Sequence, residues 1–365
     1  MARVYIRYFR ILVCQKAMAW IELQRSVWQC ALHQRQAGAT ELAIRSKTIR
    51  KSRIQYAMLL SIMIVSLALS LLLYSGPYIF FDDTQYLAYV KNILIGKFSP
   101  FMGLFSIKFL MLYIWAAFVW LFGNNIFAIE MPQLVSMLSI IILTFFIGKS
   151  IKGPGFGLLS AAFAASSPII VGYSTRVLPD LPAGALASLL LYMVIKKKAK
   201  QETRFLSLAA GVLGILMLAV KMESAIFVLA LGLVLLLSRF LNTRKISFSL
   251  KYASLGMLLG ALILQSYLSL FSSGIIRWIR FYSSASAIAH ATIHTQVLLL
   301  AAILNPYAFY GGLMGSGMST YVYPLGLLID FSILGSIFIL ARRKSSAQLK
   351  MLSVINLIVI LYLSF

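Results

Sequence analysis

The stretch "YIFFDDTQYLAYVKNILIGK", residues 78 to 97, sets Asp82 and Asp83 side by side in a chain with 9 acids against 33 lysines and arginines. A positioned carboxylate can take the proton of an acceptor hydroxyl or amine while a group is transferred to it. Two close carboxylates can instead hold a divalent cation such as Mg or Mn through their oxygens. The bare pair leaves both chemistries open. Asp82 also stands three residues before Gln85 at the head of an expected helix 84 to 96, a capping-box pattern that would occupy one aspartate and leave the other to act.

Further charged residues recur at similar points of the chain. Asp180 precedes "LPAG", where it reads either as an N-cap for the run from Leu181 or as a further carboxylate in the same cavity. Arg176 lies just before it, and a guanidinium offers a fixed fork of donors suited to phosphate oxygens. Lys221 and Glu223, in "AVKMES", read as a local ion pair or as part of a binding site. Arg277 and Arg280 are three apart, so a helix would put them on one face, suited to an anionic lipid headgroup. His290 and His294 share a helical spacing but have no acid or cysteine beside them to complete a metal site.

The elements that must position these residues are membrane spans. Of the 365 residues 61% are apolar, well above the roughly 45 to 50% of soluble domains. Mean hydropathy is +0.91. Apolar runs of about 20 residues, enough to cross about 30 Å of hydrocarbon, recur along nearly the whole length. The formal charge of +24 falls in short clusters between these runs, the pattern of cytoplasmic loops rather than of a nucleic-acid-binding face. Cys14 and Cys30 are the only cysteines and fall in the N-terminal segment placed in the cytoplasm, so no extracytoplasmic disulfide framework is expected.

Basic clusters then set the topology. Arg45, Lys47, Arg50, Lys51 and Arg53 hold the start of a first span, 55 to 75, in the cytoplasm, so the aspartates emerge outside. The run 105 to 122, with Lys108, Trp115 and Trp120, is expected to lie at the outer surface, because a second crossing there would put Lys149 and Lys152 outside. Spans follow at 129 to 148, 155 to 173, 181 to 195, 204 to 220, 223 to 239, 251 to 271, 322 to 341 and 347 to 365. The expected fold is thus all-α, a polytopic membrane protein of about nine spans plus outer juxtamembrane helices. This topology places 26 basic residues inside and 7 outside, whereas Asp82, Asp83, Glu130, Asp180 and Glu223 all reach the outer rim. Asp330 would lie about two turns, roughly 10 Å, into its span.

Three regions are expected. Residues 1–54 form a cytoplasmic basic amphipathic segment or a leader, 55–272 a transmembrane catalytic module with an outer loop at 76–128, and 273–365 an outer loop with C-terminal spans. The run that stops at Phe365 reads as a truncated or short C-terminal part.

Four stretches carry a resemblance: "FDDTQYLAYVKNILIGK" after the first span, "NNIFAIEMPQLVS" at 124 to 136, "GPGFGLLSAAFAASSPIIVGYSTRVLPD" at 153 to 180 and "GVLGILMLAVKMESAIF" at 211 to 227. The chain resembles the GT-C superfamily of membrane glycosyltransferases, in its branch of dolichyl-phosphate-mannose protein mannosyltransferases and lipid A aminoarabinose transferases. The resemblance implies a GT-C-like fold in the cell membrane and an extracytoplasmic active site. It implies a polyprenyl- or dolichyl-phosphate-linked sugar as donor and a protein, lipid or glycan as acceptor. It puts the base on Asp82, with Asp83 where a glutamate is common, and matches Asp180 to the second-loop aspartate. Lys108, Arg176, Lys221, Arg277 and Arg280 are then expected to bind the lipid phosphate. Glu130 stands where the family often has arginine, and Lys108 lacks the prolines that usually follow. The rival reading is a transporter or a flippase of lipid-linked sugars, for which charges near the midplane on broken helices of a repeated half would be expected; no such repeat is seen.

Overall fold

The computed structural model describes residues 52–72, 81–196, 200–240, 249–290, 335–342, 349–350 and 352–357. All regular structure among them is helical. The chain divides into two units, Met1–Met58 and Leu59–Phe365. Of the first, only 52–58 are described, as the opening turns of helix α1 (Ser52–Leu72). The larger unit continues with α2 (Phe81–Leu94), a 3-10 turn (Leu104–Lys108), α3 (Phe109–Phe122), α4 (Ile126–Lys152), α5 (Pro154–Ala165) and α6 (Pro168–Tyr173). It goes on with α7 (Asp180–Ile195), α8 (Lys200–Val220), α9 (Ser224–Phe240), α10 (Leu250–Ser269) and α11 (Ile275–His290). Short helical stretches at 335–341 and 352–357 lie within two of the expected C-terminal spans.

Among the described residues, four helices are long and apolar enough to cross a membrane: Ser52–Leu72, Leu104–Phe122, Ile126–Lys152 and Leu250–Ser269. Shorter apolar helices at Pro154–Ala165, Asp180–Ile195, Arg204–Val220 and Ser224–Leu236 pack among them. The protein is a multi-pass, all-α membrane protein. The expected run 155 to 173 is not one helix. It breaks at Ser166–Ser167, because Pro168 has no N–H to donate and its ring pushes Ser167 out of the helical region, to φ −65° and ψ 120°.

Two layers of core separate the ends of the bundle. One joins Ile147 of α4, Val194 and Ile195 of α7, Ala210 of α8 and Leu235 of α9. The other joins α2 and α3 to Ala128 and Ile129 at the start of α4, Ala183 near the start of α7, Val220 at the end of α8 and Leu268 at the end of α10. This second layer shows how α3 is placed. Phe109, its first residue, stacks on Tyr267 of α10 at 4.5 Å, and the Tyr113 and Tyr267 hydroxyls are 3.0 Å apart. Phe122, its last residue, meets Phe127 in the first turn of α4 at 6.3 Å. Both ends of α3 thus touch the same end of the bundle, so the helix lies across that end although its length would let it cross.

The α8 and α10 backbones come together at Gly211 and Gly256. A Cβ added at Gly211 would overlap the Ala253 carbonyl oxygen, and one at Gly256 the Leu208 carbonyl oxygen. Membrane helices associate through such small residues because lipid gives no hydrophobic drive to bring them together. Gly256→Leu is therefore expected to destabilise the protein by about 1 to 3 kcal/mol through overpacking. Gly232→Ala, whose Cβ meets nothing within 4 Å, should leave it unchanged. Thermal unfolding of the two variants in detergent checks this.

Candidate active site

The α2–α3 end of the bundle gathers most of the charged residues singled out above. Lys221 and Glu223 are brought there by a three-residue link between α8 and α9, closed by Ser224 N–H donating to the Lys221 carbonyl at 2.9 Å. Arg176 comes from the segment between α6 and α7 and Asp180 from the first position of α7; Gln133 of α4 anchors that segment by donating from its side-chain amide to the Leu178 carbonyl. Asp82 and Asp83 lie on the first turn of α2, and Lys108 ends the 3-10 turn.

The aspartates are not caps. Helix α2 begins at Phe81, so Asp82 and Asp83 both lie inside its first turn, where the positive end of the helix favours carboxylates without an N-cap bond. The expected 84 to 96 starts three residues late. Asp180 likewise is the first residue of α7, with Pro179 at the N-cap. Its carboxylate instead accepts from the Lys221 ammonium, Nζ to Oδ1 2.6 Å. That replaces the local Lys221–Glu223 pair with one bridging two helices. Burial pulls the Lys221 ammonium down, but the Asp180 charge and hydrogen bond, helped by Glu223, more than offset it, so Lys221 stands above the ordinary lysine value of 10.5.

Burial separates the two neighbouring aspartates. Asp83 is fully buried and Asp82 only half-buried. Arg176 is also buried, at 2% exposure; burial pulls its guanidinium down and the Asp83 carboxylate partly restores it. Asp82, Asp180, Glu223 and Lys221 all lie within electrostatic reach of Lys108. One buried oxygen of Glu223, Oε2, makes no hydrogen bond.

Tyr86 is the residue at the centre that the sequence did not single out. It is 1% exposed, and its hydroxyl accepts from Lys108 Nζ at 2.8 Å. Burial raises the phenol above its ordinary value, and the charges of Asp180, Asp82, Glu223 and Asp83 raise it further. The one available signal was that a buried tyrosine usually finds a partner for its hydroxyl.

Arg277 and Arg280 are exposed on α11, with Arg277 5.6 Å from the centre of the Phe101 ring. No charge interaction of either with the carboxylates occurs among the described residues. Glu130 is buried near the start of α4. No group of three His, Cys, Asp or Glu residues is placed to hold a metal ion among the described residues. The side chain of His290, together with His294, Asp330, Cys14 and Cys30, lies outside the described residues.

Residues 108–271 match the family model of dolichyl-phosphate-mannose-protein mannosyltransferase. Over this stretch, less than half of the chain, the protein is similar to that glycosyltransferase family. The match takes in Lys108, Arg176, Asp180, Lys221 and Glu223, and its boundary leaves Asp82 and Asp83 outside. No curated protein and no solved structure matches the chain. The residues at the α2–α3 end combine carboxylates able to accept a proton with cations able to hold an anion.

The Asp180–Lys221 pair carries a pH prediction. Because Lys221 binds its proton more tightly in the fold than in the unfolded chain, the contribution of the pair is complete below pH 10.5 and is lost as pH rises through the raised value. Asp180→Asn should lower stability by about 1 kcal/mol at neutral pH, the screened worth of a partly exposed pair. The gap to wild type should then close above the lysine range. Thermal unfolding of both proteins between pH 7 and 11 measures it.

Proposed function

We propose that the protein transfers a sugar from a polyprenyl- or dolichyl-phosphate donor to an extracytoplasmic acceptor, a protein, lipid or glycan, at the outer face of the cell membrane. The observation that carries this reading is the half-buried carboxylate of Asp82 on the first turn of α2, at the bundle end where Lys108 donates to Tyr86 and Lys221 to Asp180. Asp82 is the base. As it takes the acceptor proton, the acceptor oxygen bonds to the anomeric carbon from the face opposite the phosphate, and the carbon–oxygen bond to phosphate breaks with inversion.

The other residues support that step. Asp83, buried with Arg176, fixes the first turn of α2 and so the position of Asp82. Lys108 and Lys221 hold the lipid phosphate, and Asp180 aims Lys221. Arg277 and Arg280, exposed on α11, face anionic headgroups at the membrane surface.

Transfer of labelled sugar from a polyprenyl-phosphate donor in proteoliposomes tests the assignment. Asp82→Asn is expected to lower kcat by about 100-fold or more, the scale of a lost general base, with the unfolding temperature unchanged. Asp83→Asn should lower the unfolding temperature as well, since removing one member of a buried charged pair costs about 3 kcal/mol or more. Transfer at the wild-type rate by Asp82→Asn would remove Asp82 from the mechanism.

A further inference from the structure

Lys108 and Lys221 reach the site from separate elements, the 3-10 turn before α3 and the link between α8 and α9, and their charges repel one another there. Each is braced by an oxygen on another helix. Lys108 Nζ donates to the Tyr86 hydroxyl of α2 at 2.8 Å, and Lys221 Nζ to Asp180 Oδ1 of α7 at 2.6 Å. An ammonium has three donors, and each brace takes one.

Both braces are themselves fixed. The Tyr86 ring meets Phe105 edge-on at 5.1 Å and Trp115 at 5.9 Å, and Lys108 Nζ also lies 5.5 Å from the Tyr86 ring centre. Asp180 is held as the first residue of α7. Lysine is a point charge on a flexible four-carbon stem, so without a brace two mutually repelling lysines would swing apart. Glu223, Asp180 and Asp82 offset part of that repulsion, and an anion between the ammoniums is attracted to both, more strongly with two negative charges than with one.

The reaction proposed above generates that second charge. The donor arrives as a phosphodiester carrying one negative charge. When the bond between the anomeric carbon and the phosphate oxygen breaks, its electron pair stays on that oxygen, while the acceptor proton passes to the Asp82 carboxylate. The lipid phosphate leaves as a monoester dianion. A contact that strengthens as this charge develops speeds the step, whereas one equal for donor and product does not.

We infer that Tyr86 and Asp180 are positioning residues that brace Lys108 and Lys221 as a two-ammonium clamp selective for a phosphate monoester dianion over a phosphodiester monoanion. The inference rests on the functional reading above and names the group that the site holds most tightly. Tyr86 and Asp180 act through the lysines and touch no reacting atom.

Equilibrium binding separates the clamp from the transfer step. The full chain in lipid nanodiscs is titrated with a polyprenyl monophosphate and with its O-methyl diester at about pH 8, above the monoester's second ionisation near pH 6. Wild type should bind the monoester about tenfold more tightly than the diester, the scale of one added charge-assisted contact. Tyr86→Phe, which keeps the ring and its packing, should reduce that preference to about twofold with diester affinity held within about twofold of wild type. Asp180→Asn should do the same from the other lysine. Equal affinity of wild type for both probes, or a Tyr86→Phe protein that keeps the preference or weakens both probes alike, overturns the clamp. If transfer is absent while the preference and its loss in Tyr86→Phe are seen, the functional reading falls and the clamp stands; if transfer is present without the preference, the clamp alone falls.

Discussion

The contact between Lys221 and Asp180 joins positions 41 residues apart, and much of the organisation at the α2–α3 end follows from it. A charged side chain left alone at the end of an apolar bundle is costly, so charges there must find partners. Lys221 can reach Asp180 only if the α8–α9 link and the start of α7 stand together, which in turn requires α7 and α8 to pack along their length. Once those ends are fixed, the segment carrying Arg176 is held over α4 by Gln133, and Arg176 gives Asp83 a buried opposite charge. Helix α2 is thereby tied to the bundle, and α3 closes over the same end through Phe109, Tyr113 and Phe122.

Adjacent residues of one helix turn point about 100° apart, which explains how neighbours of identical chemistry come to differ. Asp83 turns into the core and Asp82 stays accessible. The doubled aspartate thus occupies two environments set by geometry. Tyr86 sits one turn further along α2, on the side facing Lys108, so a single helix supplies both the accessible carboxylate and the brace for a lysine. The bundle end is built to keep charges close that would otherwise separate.

Much of this was legible in the sequence. The spans at 129 to 148, 181 to 195, 204 to 220, 223 to 239 and 251 to 271 fall within a few residues of their helices, because long apolar runs bounded by lysine and arginine clusters are the direct imprint of a membrane on a chain. The surface placement of 105 to 122 also emerged from charge counting, and the packing of α3 across one end agrees with it. What the sequence hid is what depends on tertiary partners. The break at Pro168 was passed over because the flanking residues stay apolar. Asp82 and Asp180 looked like caps because cap and first-turn positions favour the same residue types. Lys221 was paired with its chain neighbour Glu223, since nothing local announces a partner on another helix. Tyr86 was not singled out, because its hydroxyl acquires meaning only beside Lys108.

The family match covers the stretch from Lys108 to Phe271 and so shares the lysines, Arg176 and Asp180 with the site described, while the accessible aspartate lies just upstream. The central claim is that this end of the bundle receives a lipid-linked sugar phosphate. It is tested most directly by identifying the lipid that stays with the protein through gentle purification, using native mass spectrometry followed by fragmentation. A polyprenyl phosphate or its glycoside should be retained by the wild-type chain and lost when Lys108 and Lys221 are both replaced. Retention of bulk phospholipids alone, unchanged by those replacements, would contradict it.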